Sequence, residues 1–323
     1  MPRILTGVQS TGIPHLGNIL GAMLPAINMS DDSDNEAFLF IADLHSLTQI
    51  KDAETLKNNT YATAAAWLAL GFDYKKNTFY RQSDVPECAE LTWYLSCFYP
   101  YSRLQLAHSF KDKADRLDDV NAGLFSYPML MAADILLYDA EQVPVGKDQL
   151  QHLEMTRDVA SRFNHQMGET FVLPDAKIQE DAKLILGTDG TKMSKSSNNF
   201  IDIFLPKNEL KKLINKKIIT DDTPLEDPKD PDSSTVYALY KLIASDEKSL
   251  EMYNKLKAGG YGWGHAKKDL LNIILERFEK ERVLFNHYMD NKNELDQILE
   301  QGASKARKIA QSTLQRTREK LGY

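Results

Sequence analysis

Three elements in succession at the start of the chain limit what it can fold into. Arg3-Ile-Leu-Thr-Gly-Val-Gln9 reads as a short buried strand, and Ile19, Leu20, Met23, Leu24 and Ile27 recur at helical spacing. Between them lies Thr11-Gly-Ile-Pro-His-Leu-Gly-Asn18, whose glycines and proline form a tight turn where backbone can approach a ligand. A helix starting at about Gly17 would aim unpaired N–H groups and the positive end of its dipole back at that turn. His15 and Asn18 add donors, so the turn suits a phosphate. Glu36-Ala-Phe-Leu-Phe-Ile-Ala-Asp43 reads as a second buried strand, continuous in apolar character as in a parallel sheet. Ala53 to Leu70 is an amphipathic helix stopped by Gly71, and Thr78-Phe-Tyr-Arg81 is a third strand. The βαβαβ order predicts an α/β fold with a doubly wound parallel sheet.

In such sheets ligands bind at the carboxyl ends of the strands. Asp43 and His45 stand at the end of the second strand, although His45 by itself also reads as a half-buried structural residue. Gln142-Val-Pro-Val-Gly146 is a further strand, followed by Lys147, Asp148 and Gln149 at the start of a helix running to Phe163. Asp148 could accept from a ribose hydroxyl or cap that helix.

Glu87 to Phe98, Leu104 to Lys113 and Asn121 to Leu137 read as helices without intervening strands. Their aromatic residues Trp93, Tyr94, Phe98, Tyr99 and Tyr101 suit either a subunit interface or a local core. Asp134 sits inside the apolar run Tyr127 to Tyr138, on one face with Met131, Ile135 and Tyr138. Burying a carboxylate costs several kcal/mol unless donors meet it. The run contains no Lys or Arg, so either a structural partner or a substrate must supply the donor. A flat apolar ligand with one N–H would fit, and an indole is donor-only at that atom.

The stretch Leu186 to Asn199 holds Lys192-Met-Ser-Lys-Ser196 in a run too rich in Gly, Ser and Asn for a stable helix. Two ammonium groups on a mobile loop suit a charge that develops and departs, such as pyrophosphate leaving ATP. From about Lys207 the periodicity is helical throughout. Asp221 to Ser234 reads as an exposed connection. Tyr261 and Trp263 lie in a kinked glycine loop, where they could stack on bases or pack, and a last helix begins at about Asn293.

A chain of 323 residues has room for two domains, and 42% hydrophobic with 26% charged residues describes an ordinary globular protein. No apolar run approaches a membrane span and no secretory segment precedes the first strand, so no membrane and a cytoplasmic location are expected. The only cysteines, Cys88 and Cys97, cannot form a CxxC…CxxC zinc site, no zinc or iron–sulfur centre is expected, and both read as free buried thiols. Net charge is −7, which argues against nucleic acid, yet its distribution is uneven. Lys305, Arg307, Lys308, Arg316, Arg318 and Lys320 crowd the last helix, and Lys211, Lys212, Lys216 and Lys217 form a second cluster. These are solvated helix faces or, if RNA binds, the faces that meet phosphates.

Pro14-His-Leu-Gly-Asn18 and Lys192-Met-Ser-Lys-Ser196, in that order, resemble the two ATP-handling motifs of class I aminoacyl-tRNA synthetases. Adding Thr6 to Gly12, Tyr127 to Tyr138, Val143-Pro-Val-Gly146 and Asp148-Gln149, the chain resembles the bacterial tryptophanyl-tRNA synthetase family over essentially its whole length. The resemblance implies a Rossmann catalytic domain over 1–204 with a helical insertion at about 84–140, a helical anticodon-binding domain over 205–323, and a homodimer. It implies that tryptophan and ATP give tryptophanyl-adenylate and that tRNA(Trp) is charged, with Mg²⁺ carried by the ATP phosphates. His15, Asn18, Lys192 and Lys195 would be the catalytic groups. Gln9, Ser10, Thr11, Gly17, Gly146, Lys147, Asp148, Met193, Ser194 and Ser196 would line the ATP site, with Leu184 or Ile185 against adenine. Asp134 would accept the indole N–H, while Tyr127, Met131, Val143 and Val145 enclose the ring. Gln9, His45 and Gln149 would meet the amino acid's polar end. Asn18 replaces the last histidine of the HIGH form and cannot become cationic. The alternatives are a tyrosyl-tRNA synthetase, whose pocket must satisfy a phenol that donates and accepts, a non-catalytic paralogue with an eroded ATP motif, and a nucleotidyltransferase without need of a basic helical end.

Overall fold

The computed structural model describes residues 2–31, 35–107, 120–146, 149–178 and 185–323. Five strands, β1 (Arg3–Val8), β2 (Glu36–Ile41), β3 (Thr78–Arg81), β4 (Gln142–Val145) and β5 (Asp175–Ile178), form one parallel sheet in the order β3-β2-β1-β4-β5. Val8 pairs with Ile41 and Ile41 with Arg81, so three strands end level. The strand order reverses between β1 and β4, and that switch point is where open α/β sheets bind ligands. The expected doubly wound sheet is therefore present. β5, whose Asp-Ala-Lys-Ile sequence is half polar, is a strand the sequence did not announce.

The first helix starts at α1 (Leu16–Asn18), passes through a π-helical turn (Ile19–Met23) and continues as α2 (Leu24–Asp31). The short α3 (Asp43–Ser46) follows β2. α4 (Ala53–Ala69) is capped by Asp52, whose side chain accepts from Thr55 N, and it buries Ala64, Ala65, Ala66 and Trp67. After β3 comes a 3₁₀ turn (Gln82–Asp84), then α5 (Glu87–Phe98), α6 (Tyr101–Leu104), α7 (Ala122–Leu136) and α8 (Leu150–Met167). The expected helix Leu104 to Lys113 falls mostly outside the described residues. Phe38 stacks on Tyr138 and Phe40 on Tyr80, and α5, α7 and α8 pack together over this core. The later helices are α9 (Lys207–Lys217), α10 (Thr235–Lys241), α11 (Asp246–Ala258), α12 (Trp263–Arg277), α13 (Glu279–Asp290) and α14 (Lys292–Leu321).

Contacts group the chain into two compact units: Met1–Gly12, Ala26–Asp181 and Tyr288–Tyr323 in one, Ile13–Pro25 and Ala182–His287 in the other. This grouping does not follow a single division after residue 204, because α14 packs on the sheet. A Cβ on Gly302 would stand 1.7 Å from the Phe79 carbonyl oxygen of β3. Asp296 accepts from Arg81 at 2.8 Å and from the Tyr61 hydroxyl at 2.9 Å, which fixes the helix's first turns. Gly302→Ala is expected to force helix and strand apart and cost about 2–3 kcal/mol, the range of overpacked cores. Urea unfolding checks this, and a change within about 0.5 kcal/mol, the size of an ordinary surface substitution, would refute the close approach.

In the second unit α10 packs against α11 and α12, and α9 against α12. Residues 221–234 are not merely an exposed connection: Lys229 is 2% exposed and donates to the carbonyls of Pro224, Leu225 and Asp227. Tyr261 and Trp263 donate to Asp269 and Asp221, so these rings hold their loop. Cys88 is buried as expected, but Cys97 is exposed, on the outer face of α5. The aromatic group of the insertion divides: Tyr99 is buried, Tyr94 and Phe98 lie against the core, and Trp93 and Tyr101 are 68% and 66% exposed.

Candidate active site

Residues that follow β2 and β3, and one on α5, meet a buried carboxylate on α7. Asp134 is 3% exposed. Its Oδ1 accepts from Gln82 Nε2 at 2.8 Å and from the Cys88 thiol at 2.9 Å. Its Oδ2 accepts from Gln82 Nε2 and lies 2.9 Å from His45 Nε2. Since the carboxylate only accepts, the neutral imidazole carries its proton on Nε2, leaving Nδ1 buried and without a partner among the described residues. The expectation that Asp134 might wait for a donor from a substrate is thus corrected. Its donors come from three other elements, which no reading of residues 127–138 alone could see.

A short chain of polar and aromatic contacts runs away from this carboxylate. The Tyr127 ring centroid lies 4.2 Å from that of His45 and 5.5 Å from that of His152. Gln9 Nε2 donates to the Tyr127 hydroxyl at 2.9 Å, and Gln149 Oε1 is 3.0 Å from His152 Nδ1. Val143 and Val145 are buried on β4, and Met131 is half-buried on α7. Seven of the residues expected at tryptophan (Gln9, His45, Tyr127, Met131, Asp134, Val145 and Gln149) thus lie at strand ends or on the helices that follow them. The eighth, Val143, is two residues back from the end of β4.

Ser10, expected at ATP, has its side chain turned inward. It is fully buried, its hydroxyl lies 3.1 Å from Ser46 Oγ and accepts from Thr60, and Ser46 in turn donates to the Ala42 carbonyl. With no surface to offer, it ties the end of β1 to α3 and α4. Thr11 is half-buried, and Gly12 has φ +127°, which allows the turn after β1.

The second group lies within the other unit. His15 caps α1: its Nδ1 accepts from Asn18 N, and Asn18 Oδ1 accepts from His15 N. Gly17 N donates to the Met193 sulfur at 3.2 Å and Leu16 N to the Ile201 carbonyl at 2.8 Å. The expected unpaired amides at this helix start are therefore already engaged by the protein, and the sequence reading is corrected on that point. What remains for a phosphate is the dipole, His15 Nε2 and the Asn18 amide. Burial first, and then the Lys195 charge, push the His15 pKa down to about 4, so it is a neutral donor at pH 7. Burial lowers Lys195 to about 8 against the opposing pull of Asp202, and it stays a cation in neutral solution.

The Lys192–Ser196 loop is well tied. Leu186 and Lys192 form an antiparallel bridge, and Met193 N donates to the Ile185 carbonyl. Asn199, 2% exposed, donates to Asp189 Oδ1, Thr191 Oγ1 and the Lys192 carbonyl, and its Oδ1 accepts from Ser194 N. Ser194 Oγ lies 3.2 Å from Ser196 Oγ. Met193 is buried beneath Gly17, Lys192 is exposed, and Ile185 lies under Gly21. Gly146 accepts from Gln149 N at the start of α8. Lys147, Asp148 and Leu184 lie outside the described residues.

Gln82, Asn199 and Asp202 went unnoticed in the sequence, and Cys88 was read only as a free buried thiol. Each is an ordinary polar residue whose importance comes from a partner far along the chain, except Asn199, whose many bonds within one loop could have been suspected from the Gly-Thr-Asp-Gly turn. Half of the basic face of α14 is committed to the protein: Arg307 meets Glu87, Arg316 meets Asp139 and Arg318 meets Glu90. Lys217 donates to Asn198 beside the loop. A groove of about 770 Å³ runs along α14, but its Arg81 is already paired with Asp84 and Asp296 and it shares no residue with Asp134's partners.

Residues 1–299 match the family described as tRNA synthetases class I (W and Y). A tryptophan–tRNA ligase of Fusobacterium nucleatum is 47% identical over 323 residues, covering 100% of this chain and 98% of the relative. The crystal structure of the Campylobacter jejuni tryptophanyl-tRNA synthetase complexed with ADP and tryptophan is 45% identical, with TM-score 0.96 and coverage of 99% and 100%. The Mycoplasma pneumoniae tryptophanyl-tRNA synthetase is 29% identical, with TM-score 0.77 and coverage of 100% and 98%.

Proposed function

The chain belongs to the class I tRNA synthetases for tryptophan and tyrosine, and from that premise we propose how its residues charge tRNA with tryptophan. The chain is an aminoacyl-tRNA ligase: it activates tryptophan with ATP, releases pyrophosphate and passes the aminoacyl group to the terminal adenosine of tRNA(Trp). The observation that carries the choice of amino acid is the buried Asp134 carboxylate, on the helix that also carries Tyr127 and Met131. A group that only accepts matches an indole N–H, whereas a phenol would need a donor as well.

The tryptophan carboxylate is ionised at neutral pH, so adenylate formation needs no strong base. It needs ATP held in line and negative charge stabilised as the α-phosphorus is attacked and pyrophosphate leaves. His15 and Asn18 supply neutral donors, while Lys192 and Lys195 supply the positive charge. Thr11, Gly17, Gly146, Lys147, Asp148, Met193, Ser194 and Ser196 belong to the nucleotide's surroundings, with Leu184 or Ile185 at adenine. Gln9, His45 and Gln149 hold the amino acid's ammonium and carboxylate. Mg²⁺ would be carried by the ATP phosphates and add to the positive charge that Lys192 and Lys195 supply.

Helices within 205–323 meet the anticodon. Trp93 and Tyr101, exposed on the helical insertion, fit a homodimer, and a mass near the monomer value in gel filtration would exclude it. A cytoplasmic place completes the proposal. The charging step is tested with purified tRNA(Trp), ATP and tryptophan. Aminoacyl-tRNA forms with that tRNA, and equal charging of tRNA(Tyr) with tyrosine would overturn the assignment.

Lys195 predicts a pH limb. Its folded pKa lies below its ordinary value, at about 8, so its charge is complete well below that pH and is lost as pH rises through it. Pyrophosphate exchange at low ATP should fall above about pH 8. Lys195→Arg should move the limb upward, and an unmoved limb would place the titration elsewhere.

A further inference from the structure

We infer that Gln82 is a positioning residue for amino-acid selection, holding the Asp134 carboxylate in its aim. This rests on the reading of Asp134 as the indole acceptor. Gln82 opens the 3₁₀ turn directly after β3 and is 1% exposed. Its Nε2 donates to both Asp134 oxygens, at 2.8 and 2.9 Å. Its Oε1 accepts from the backbone amides of Leu44 and His45, at 3.1 and 3.3 Å. The orientation of a buried amide is normally a choice between two flips. Here only one works, since backbone N–H groups can only donate and the carboxylate can only accept.

A carboxylate offers about four acceptor positions. Among the described residues the contacts to Asp134 already number four, from Gln82 twice, His45 and Cys88. An arriving indole N–H must therefore replace one of them. Gln82 cannot yield, because releasing Asp134 would also turn its oxygen from two buried backbone amides. His45 or the weakly donating Cys88 can yield without stranding any backbone group. Gln82 is thus the fixed reference from which the carboxylate is aimed, and it links the acceptor to α3, which carries His45.

The test compares Gln82→Met, Gln82→Glu and Asp134→Asn by tryptophan-dependent pyrophosphate exchange. Each is measured with tryptophan and with its benzothiophene isostere, which lacks the N–H. Gln82→Met should raise the tryptophan KM roughly ten- to hundredfold, the size of a lost hydrogen bond to a charged group, with the ATP KM little changed. It should also shrink the preference for tryptophan over the isostere. Gln82→Glu keeps an acceptor for Leu44 and His45 and sets a second carboxyl against Asp134. Such a pair shares a proton until both ionise, so this variant should bind tryptophan well at low pH and lose it as pH rises. The other titratable groups around the pair are Asp43, which shares the Leu44 amide with Gln82, and His45, Cys88, Tyr80 and Tyr138, all present in the parent, whose profile serves as the control.

With Asp134→Ala measured alongside, which keeps no acceptor, a preference over the isostere that stays intact means the reading of Asp134 itself fails. If Asp134→Ala abolishes the preference while both Gln82 variants retain it, with a tryptophan KM that follows the parent's pH profile, only the role of Gln82 is overturned. Should Gln82→Met not fold, the pH profile of Gln82→Glu decides alone.

Discussion

Asp134→Ala is expected to lower kcat/KM for tryptophan by about 10³-fold or more, while the ATP KM stays within about threefold. In the proposed reading the carboxylate accepts from the one polar atom of the indole, and its loss would leave the ligand's N–H buried without a partner. It also strands donors from Gln82, His45 and Cys88. Breaking a buried polar cluster by removing one member can cost about 3–5 kcal/mol of stability, so the variant's melting curve must accompany the kinetics. Asp134→Asn keeps the volume and one acceptor, and should fall between the two in tryptophan KM. Near-parent exchange by the folded alanine variant would remove Asp134 from the pocket and leave its cluster a feature of the core.

Lys192→Ala and Lys195→Ala should act on the other half of the reaction. Each removes a positive charge from the pyrophosphate that leaves, an interaction realised in the transition state more than in the ground state. Removing one such group typically costs about 10²–10³ in kcat. The tryptophan KM should hold, because the residues proposed for that ligand sit at the strand ends and on α7. The double variant should lose less than the product of the single effects, since both lysines act on one developing charge. A raised tryptophan KM with kcat unchanged would contradict the division of labour.

The sheet was legible because its buried strands carry unbroken apolar runs such as Phe38 to Ile41, and because α4 and α5 end where their composition changes. β5 was not, since Asp175-Ala-Lys-Ile178 becomes a strand only by pairing with Gln142–Val145. The ends of the ATP-handling helix were legible in place but not in detail. Met193 and Ile201 supply acceptors to Gly17 and Leu16 from far along the chain, and spacing carries no trace of that. Asp134 stood out as a carboxylate in an apolar helix, whereas Gln82, which holds it, looked like any polar residue after a strand. Ser10 shows the converse: its motif was clear, but spacing carried no sign that its hydroxyl meets Ser46 and Thr60.

ATP–pyrophosphate exchange with each of the twenty amino acids in turn tests the central claim most directly. Labelled pyrophosphate should enter ATP with tryptophan and at background with the other nineteen, tyrosine included. Exchange with tyrosine at or above the tryptophan rate, or none with any amino acid, would contradict it.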